Sequence, residues 1–247
     1  MKFRKYSILI LAGAFFSLFE SASSASSYVI QDSTFNDAGW TSLILPYSNP
    51  GLNLSFSRTQ ILSGGSPAAY QETTLNWTAT GGSSQRIYVA NLMNGATYSP
   101  SSEGAIKSID FSYDSILLRQ IGGTPDPYNT LVLLQSGSYY FRFTNDPTNT
   151  LGWVGHSYIG LLASDFSLLS GTGPTLPNFS ASGGTIQFGY IDASGSVYPG
   201  TISIISGLDN YSVSINAVPV PAAFWLVGSA LISFIGFNYR NGRKGAQ

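Results

Sequence analysis

The sequence predicts a mainly β protein: an antiparallel jelly-roll β-sandwich flanked by an N-terminal signal-peptide helix and a C-terminal transmembrane helix. Three observations predict it. Apolar and polar residues alternate in many short segments, links rich in Gly, Pro and Ser separate these segments, and one apolar run lies near each end of the 247-residue chain. Between those two runs the sequence has no amphipathic helical pattern and no repeat of fixed period.

The alternating segments are short enough to be strands with one buried face. Residues 109–113 and 211–215 have an aromatic or aliphatic side chain at every second position, and residues 52–56 and 186–190 repeat the pattern. Segments 131–135 and 139–144 flank Ser136-Gly137-Ser138, which predicts a hairpin loop whose glycine accepts a positive φ. Many short strands with turn-rich links favour a sandwich over alternating βα units.

Residues 1–25 have the three parts of a secretory signal peptide. Three basic residues precede the twelve-residue apolar segment 8–19, and the small residues of 21–27 offer a cleavage site after Ala25. The alternative is an N-terminal membrane helix, which needs about 20 apolar residues. We therefore exclude residues 1–25 from the folded domain.

Residues 218–244 form the second apolar element, with a transmembrane helix predicted over 222–239. The uncharged run 222–237 would span about 24 Å at ~1.5 Å per residue, against a hydrocarbon core of ~30 Å. This length favours a temporary anchor. Basic residues before the first apolar segment and after the last mark the cytoplasmic side, so the domain 26–217 is expected outside the membrane.

The order of features in this element resembles the PEP-CTERM sorting signal. A Pro-x-Pro pair comes first, small residues Gly228, Ser229 and Ala230 interrupt the apolar helix, and a basic cluster closes it. Val220 stands where the signal usually has Glu, which makes this the VPxP variant. The residues of the motif are Pro219, Val220, Pro221, Arg240, Arg243 and Lys244.

This resemblance implies an exported protein of a Gram-negative bacterium that the membrane peptidase exosortase recognises and cleaves. The implied location is a transient inner-membrane anchor, followed by the cell surface or the extracellular matrix. The alternative is an ordinary C-terminal tail anchor. Both interpretations put the main domain outside.

The composition of the middle of the chain excludes several function classes. Residues 26–218 contain five basic and eleven acidic residues, a net charge of −6, and have no basic patch, which argues against nucleic-acid binding. The absence of Cys excludes disulfides, a thiolate nucleophile and a zinc–thiolate site.

A second resemblance lies at the two ends of this middle part. Residues 33–40, STFNDAGW, resemble the opening of carbohydrate-binding-module-like jelly rolls, and 206–214, SGLDNYSVS, resemble their final strand. Residues 104–114 and 178–190 resemble secreted PEP-CTERM proteins with the same sandwich. The resemblance implies that acidic residues of both end strands hold a structural Ca²⁺. The residues that match are Asp32, Asp37 and Asp209. The alternative is that these residues form exposed turns and start a strand.

The resemblance also implies saccharide binding, in which exposed aromatic rings stack on sugar C–H faces. The candidate ligand-binding residues are Trp153, Tyr158 and Tyr139. Trp153 and Tyr158 belong to a Gly-containing stretch that predicts a binding loop, and Tyr139 and Tyr140 must point to opposite faces of a strand. The alternative is that such rings belong to the core.

Catalysis has little support in the sequence. His156 is the only histidine, which excludes a multi-His metal site, and the chain has no G-x-S-x-G motif. We therefore expect a non-catalytic surface or matrix protein that binds polysaccharide. Its expected partners are exosortase, the membrane and extracellular polysaccharide. The alternative function is a secreted glycan-active hydrolase that uses two of the eleven acids.

Overall fold

The computed structural model describes residues 27–45, 52–81, 85–122, 127–143 and 151–218, and Ser27–Val218 form one compact unit. The predicted signal peptide, the sorting motif and the predicted transmembrane helix 222–239 lie outside the described residues. Within the described residues, no helix combines the length and the apolar character needed to cross a membrane.

The described residues form β-strands almost throughout. The strands β1 to β12 span Ser27–Asp32, Trp40–Leu45, Leu52–Ile61, Tyr70–Ala79, Gln85–Tyr98, Ile106–Ile121, Tyr128–Gln135, Ser138–Arg142, Val154–Leu161, Phe166–Ser170, Ile186–Ser196 and Gly200–Ala217. The helical segments described are the one-turn helix α1 and two 3₁₀ turns. Their bounds are Pro100–Glu103, Asp37–Gly39 and Ala163–Asp165.

The strands form two antiparallel sheets that pack face to face. Sheet A has the order β3-β4-β12-β6-β9, and β1 pairs with the C-terminal half of β12 in line with β4. Sheet B has the order β10-β8-β7-β11-β5-β2. The predicted mainly β architecture of two antiparallel sheets is therefore confirmed.

Three local predictions differ from the structure. The hairpin between β7 and β8 has a two-residue turn, Ser136-Gly137, and both residues take positive φ (51° and 77°), so Ser138 belongs to β8. Helix α1 was missed because one turn is too short for a helical period; Pro100 at its first position and Gly104 at its end define it instead. The stretch 154–158, expected in a binding loop, belongs to strand β9.

The interior between the sheets contains two apolar clusters separated by a belt of polar side chains. One cluster surrounds Trp40, Phe111 and Tyr211, and the other surrounds Trp77 and Ile204. The polar residues sit between them at inward positions of the same strands. These buried polar residues include Thr73, Asn91, Ser115, Asn129, Asp192 and Ser206.

The close approach of β11 to β5 requires glycine at position 189. A Cβ at Gly189 would lie 2.0 Å from the carbonyl oxygen of Asn91, where the pairing of the two strands shifts register. We predict that Gly189→Ala lowers the free energy of unfolding in urea by about 3 kcal/mol, because the backbone of a central strand must move.

The matched control for this prediction is Gly39→Ala. A Cβ at Gly39 meets nothing within 4 Å. Its substitution should change the free energy of unfolding by less than about 1 kcal/mol. Equal effects of the two substitutions would contradict the close approach of β11 and β5.

Candidate functional site

The outward faces of the two sheets differ in chemistry. Around the C-terminal half of β12, sheet A presents hydroxyl, amide and carboxylate groups to solvent, and Asn216 donates hydrogen bonds from Nδ2 to Asp110 Oδ2 (3.1 Å) and Ser108 Oγ (3.2 Å). Sheet B instead has an apolar cluster on its outward face, drawn from β2, β5, β7, β8 and β11. A sheet face that points away from the interior is usually polar and solvated, whereas the residues of this cluster are apolar and buried.

Aromatic rings meet across the outward face of sheet B. The rings of Tyr88 on β5 and Phe141 on β8 are 5.7 Å apart at 63°, although β11 and β7 lie between their strands. Strands three spacings apart are about 14 Å from one another in a flat sheet, so the face must be concave and the two side chains must lean inward. Beneath them, Val132 and Ala193 are buried.

We call this concave surface the aromatic trough. The residues that define it are Tyr88, Tyr128, Val132, Phe141, Ile191 and Ala193. Phe143 and Leu43 project at its margins with 54% and 47% of their surface exposed, and Tyr139 is half-buried beside it. The ring of Phe143 contacts that of Phe141 edge to face at 6.5 Å. The trough thus has a packed aromatic base and accessible aromatic margins.

Arg86 supplies the polar group of the trough. It lies opposite Gly195 in the β5–β11 pairing, and its guanidinium donates hydrogen bonds to the hydroxyls of Tyr88 and Tyr128. Those two hydroxyls are 3.5 Å apart. Burial, with a smaller contribution from Tyr88, raises the pKa of Tyr128 well above its usual value, so this phenol stays neutral. The two tyrosines therefore orient a half-buried cation.

Glycoside hydrolysis requires a pair of carboxylates, and the described strands of sheet B carry none on their outward side. Within the described strands of sheet B the single acidic residue is Asp192, and it points inward between the sheets. Arg86 is the charged residue on the outward side of these strands. The described strands of this face therefore present aromatic rings and one cation.

The three predicted ligand-binding residues lie in three different parts of the sandwich. Trp153 packs over the outward side of sheet A, with its Nε1 donating to Gly64 O (2.9 Å) and its ring 5.4 Å from that of Tyr70. Tyr158 points inward from β9, where its ring lies under Arg142 with Cζ 3.9 Å from the centroid. Tyr139 borders the aromatic trough. The structure does not bring the three together, and their role in binding stays a prediction.

The predicted calcium ligands are engaged by protein donors. Asp32 accepts hydrogen bonds from the backbone N–H groups of Thr34 and Phe35 and from Trp40 Nε1 (2.7, 2.9 and 2.8 Å). Burial raises the pKa of Asp32, but these hydrogen bonds outweigh it and the net pKa is lowered. Asp37 accepts from the backbone N–H of Gln60 at 2.9 Å.

Asp209, the third predicted calcium ligand, also accepts a hydrogen bond from the protein. It accepts from the backbone N–H of Ser66 at 2.6 Å, and burial together with the charges of Asp114 and Asp32 raises its pKa. Among the described residues, no group of three or more His, Asp or Glu side chains is arranged to hold a metal ion. Calcium binding stays a prediction.

His156 packs against neighbouring side chains of strand β6. Its ring stacks on Tyr113 at 4.6 Å and 14°, and its Nε2 lies 2.9 Å from Ser115 Oγ. Ser115 is buried and therefore inaccessible to a substrate in this arrangement.

Sequence reasoning missed the trough residues Arg86, Tyr88, Tyr128 and Phe141. One signal was present: Leu131 to Leu134 are apolar at consecutive positions, which is typical of a strand apolar on both faces.

Comparison with known proteins finds similar solved structures at low identity and low TM-score. A family 11 carbohydrate-binding module from Clostridium thermocellum, in complex with a β-1,3-1,4-mixed-linked tetrasaccharide, is 16% identical over 80% of this chain and 100% of that chain, with a TM-score of 0.42. A second structure, described with xylogluco-oligosaccharide, is 13% identical over 72% of this chain, with a TM-score of 0.30, and this chain spans 38% of its length. No protein-family model and no curated protein matches. Evidence for a function therefore comes from the residues of the trough.

If the trough is a packed layer, its base should contribute to stability despite lying on the outward side. Phe141 is 9% exposed and Phe143 is 54% exposed. We predict that Phe141→Ala lowers the free energy of unfolding by about 3 kcal/mol, whereas Phe143→Ala costs less than about 1 kcal/mol, both measured by urea denaturation. Small effects from both substitutions would show that the rings do not form a packed base.

Proposed function

We propose that the sandwich binds a polysaccharide chain along the aromatic trough and does not cleave it. The observation that carries this proposal is the contact of Tyr88 and Phe141 across three strand spacings, because it makes an outward sheet face both concave and aromatic. Concave apolar surfaces with a few polar groups are the usual form of ligand sites.

The chemistry of the trough suits a sugar chain. The exposed ring of Phe143 and the half-buried ring of Tyr139 offer flat surfaces for the C–H faces of successive sugar units. Arg86, oriented by Tyr88 and Tyr128, donates hydrogen bonds to sugar hydroxyls or to a uronate carboxylate. The lack of a carboxylate on the outward side of the described strands of sheet B favours binding over hydrolysis.

The export route is part of the same proposal. The predicted signal peptide 1–25 and the VPxP-type signal 218–244 support secretion across the inner membrane, transfer to exosortase and release to the cell surface or extracellular matrix. A polysaccharide-binding domain suits that destination.

We predict a loss of at least about tenfold in polysaccharide affinity for Phe143→Ala and for Arg86→Ala, since each removes about 1.4 kcal/mol or more of stacking or charge-assisted hydrogen bonding. The full chain is tested by affinity electrophoresis against mixed-linkage β-glucan, xyloglucan and polygalacturonate. The control is Ile159→Ala, which removes an exposed side chain (81%) on β9 of sheet A.

Two further measurements test whether the ligand binds elsewhere on the sandwich and whether the protein cleaves it. Trp153→Ala and Tyr158→Ala enter the same assay; a loss there, with the trough variants unchanged, would refute binding in the trough. Release of reducing ends from any of the three polysaccharides would favour the alternative, a glycan-active hydrolase.

Processing is tested separately by intact mass spectrometry of the protein from its native host. We expect a mature N-terminus after Ala25 and a C-terminus that lacks the basic residues 240–244, because cleavage near Pro219 to Pro221 removes them. A mature chain that retains Arg240 to Lys244 would contradict cleavage by exosortase.

A further inference from the structure

A pocket opens between the two sheets at one side of the sandwich. Its volume is about 530 Å³, within the range of roughly 300–1,000 Å³ that small-ligand sites have. Strand β2 is an edge of sheet B and β3 is an edge of sheet A, so the pocket lies in the seam between the sheets. We call it the seam pocket. The residues that line it are Ser42, Leu43, Ile44, Phe56, Ser57 and Arg58.

Arg58 closes one end of the seam. Its guanidinium donates from Nη2 to the carbonyl oxygens of Asp37 and Trp40 (3.0 Å each) and from Nε to Ser42 Oγ (3.1 Å), so β3 is held against the start of β2. Its Nη1 donates to Gln71 Oε1 at 2.8 Å. Because protein acceptors engage all three nitrogens, Arg58 fixes the shape of the pocket and is not counted among the groups that bind a ligand.

Beyond this closed end the seam is open to solvent. Ile44 lies opposite the buried Val89, which belongs to the inner cluster around Trp77, so the side chain of Ile44 points toward the interior. Even so, 40% of its surface is exposed. Phe56 on β3 is half-buried against the same inner cluster. The seam pocket therefore has apolar walls that a ligand can reach.

Hydroxyl groups complete the lining. Ser42 Oγ accepts from Arg58 and donates to Asn91 Oδ1 (2.6 Å), whereas Ser57 is exposed on β3. Apolar walls with a few polar groups are typical of ligand sites. This combination suits a pyranose ring, because its C–H faces are apolar and its edges carry hydroxyls.

The seam pocket adjoins the aromatic trough across a single strand. In the β2–β5 pairing Leu45 lies opposite Tyr88 and Leu43 lies opposite Ala90, and both partners on β5 belong to the outward apolar cluster of sheet B. Leu43 therefore borders the trough, and it also lines the seam pocket. Neighbouring strands are about 5 Å apart, so the two sites are within reach of one ligand.

The curvature of sheet B sets the direction of the trough. The rings of Tyr88 and Phe141 meet across β11 and β7, so the sheet is concave across its strands. The long axis of the trough therefore follows the strands, and β2 forms the wall beside β5. A chain that lies along this axis directs its substituents toward the walls, and the wall at Leu43 leads into the seam pocket.

We propose that the seam pocket receives a branch sugar of the polysaccharide whose main chain lies in the trough, so that the protein selects branched over unbranched chains; this rests on the proposed function. The branch passes over Leu43, places a C–H face against Ile44 and Phe56, and bonds to the hydroxyl of Ser57. An unbranched chain lacks these contacts. Selectivity is the difference between the two affinities, and the pocket contributes to only one of them.

Matched oligosaccharides test the proposal on the full chain in mild detergent, by isothermal titration calorimetry. One pair is a cello-oligosaccharide and a xylose-branched xyloglucan oligosaccharide with the same glucose backbone. A second pair is a manno-oligosaccharide and its galactose-branched form. We expect the branched member of the pair that binds to have at least about tenfold higher affinity. Equal affinities, or binding confined to unbranched chains such as polygalacturonate, would overturn the proposal.

Two variants locate the branch. Ser57→Tyr places a ring at the pocket from an exposed position, and its matched control is Ser55→Tyr, an exposed serine of the same strand that does not line the pocket. We expect Ser57→Tyr to lower the ratio of branched to unbranched affinity at least about fivefold and Ser55→Tyr to keep the wild-type ratio. An unchanged ratio in Ser57→Tyr would place the branch elsewhere. The wild-type comparison decides the proposal even where a variant does not fold.

Failure of this inference and failure of the proposed function give different results. If Phe143→Ala and Arg86→Ala weaken binding while branched and unbranched chains bind equally well, the trough binds the main chain and the seam pocket has no role. If neither pair binds and the polysaccharides of the affinity electrophoresis do not bind either, the proposed function is refuted and this inference falls with it.

Discussion

The contact between the rings of Tyr88 and Phe141 is the constraint on which the rest of the site depends. These rings belong to strands separated by two others, so they meet only if sheet B curves toward its solvent side. Small or short side chains at Ala193 and Val132 beneath them allow this approach. The same curvature buries apolar residues on an outward face and leaves Phe143 at the margin.

The two faces of sheet B have opposite chemistry on the same three strands. Inward positions of β5, β7 and β11 carry Asn91, Asn129 and Asp192, which form a buried polar network between the two apolar clusters. Outward positions carry the trough. Buried polar groups stabilise a fold only when their partners are in place, so the network specifies the relative positions of these strands more strictly than apolar packing alone would.

Much of the fold and little of the site could be predicted from the sequence. Alternation predicted the strands that contain Phe111 and Val213, and it required Tyr139 and Tyr140 to face opposite ways, as they do. The same rule could have separated Trp153 from Tyr158, but the two glycines in their stretch favoured a loop over the strand β9 that is observed. The trough was missed because its rings come from β5 and from the β7–β8 hairpin, and Tyr88 and Tyr128 are 40 residues apart in the sequence.

The amino-acid sequence alone determined that this chain forms strands and where its turns fall. It also determined that an acidic, cysteine-free domain lies between two apolar ends. These features can be read from the sequence because period, composition and charge are local properties. The tertiary structure decided which strands become neighbours, and therefore that Arg86 lies beside Tyr88 and Tyr128 and that Asp192 lies behind them. Strand pairing joins residues about a hundred positions apart, such as Asn91 and Asp192. No local pattern encodes that pairing, since it depends on the packing of both sheets at once.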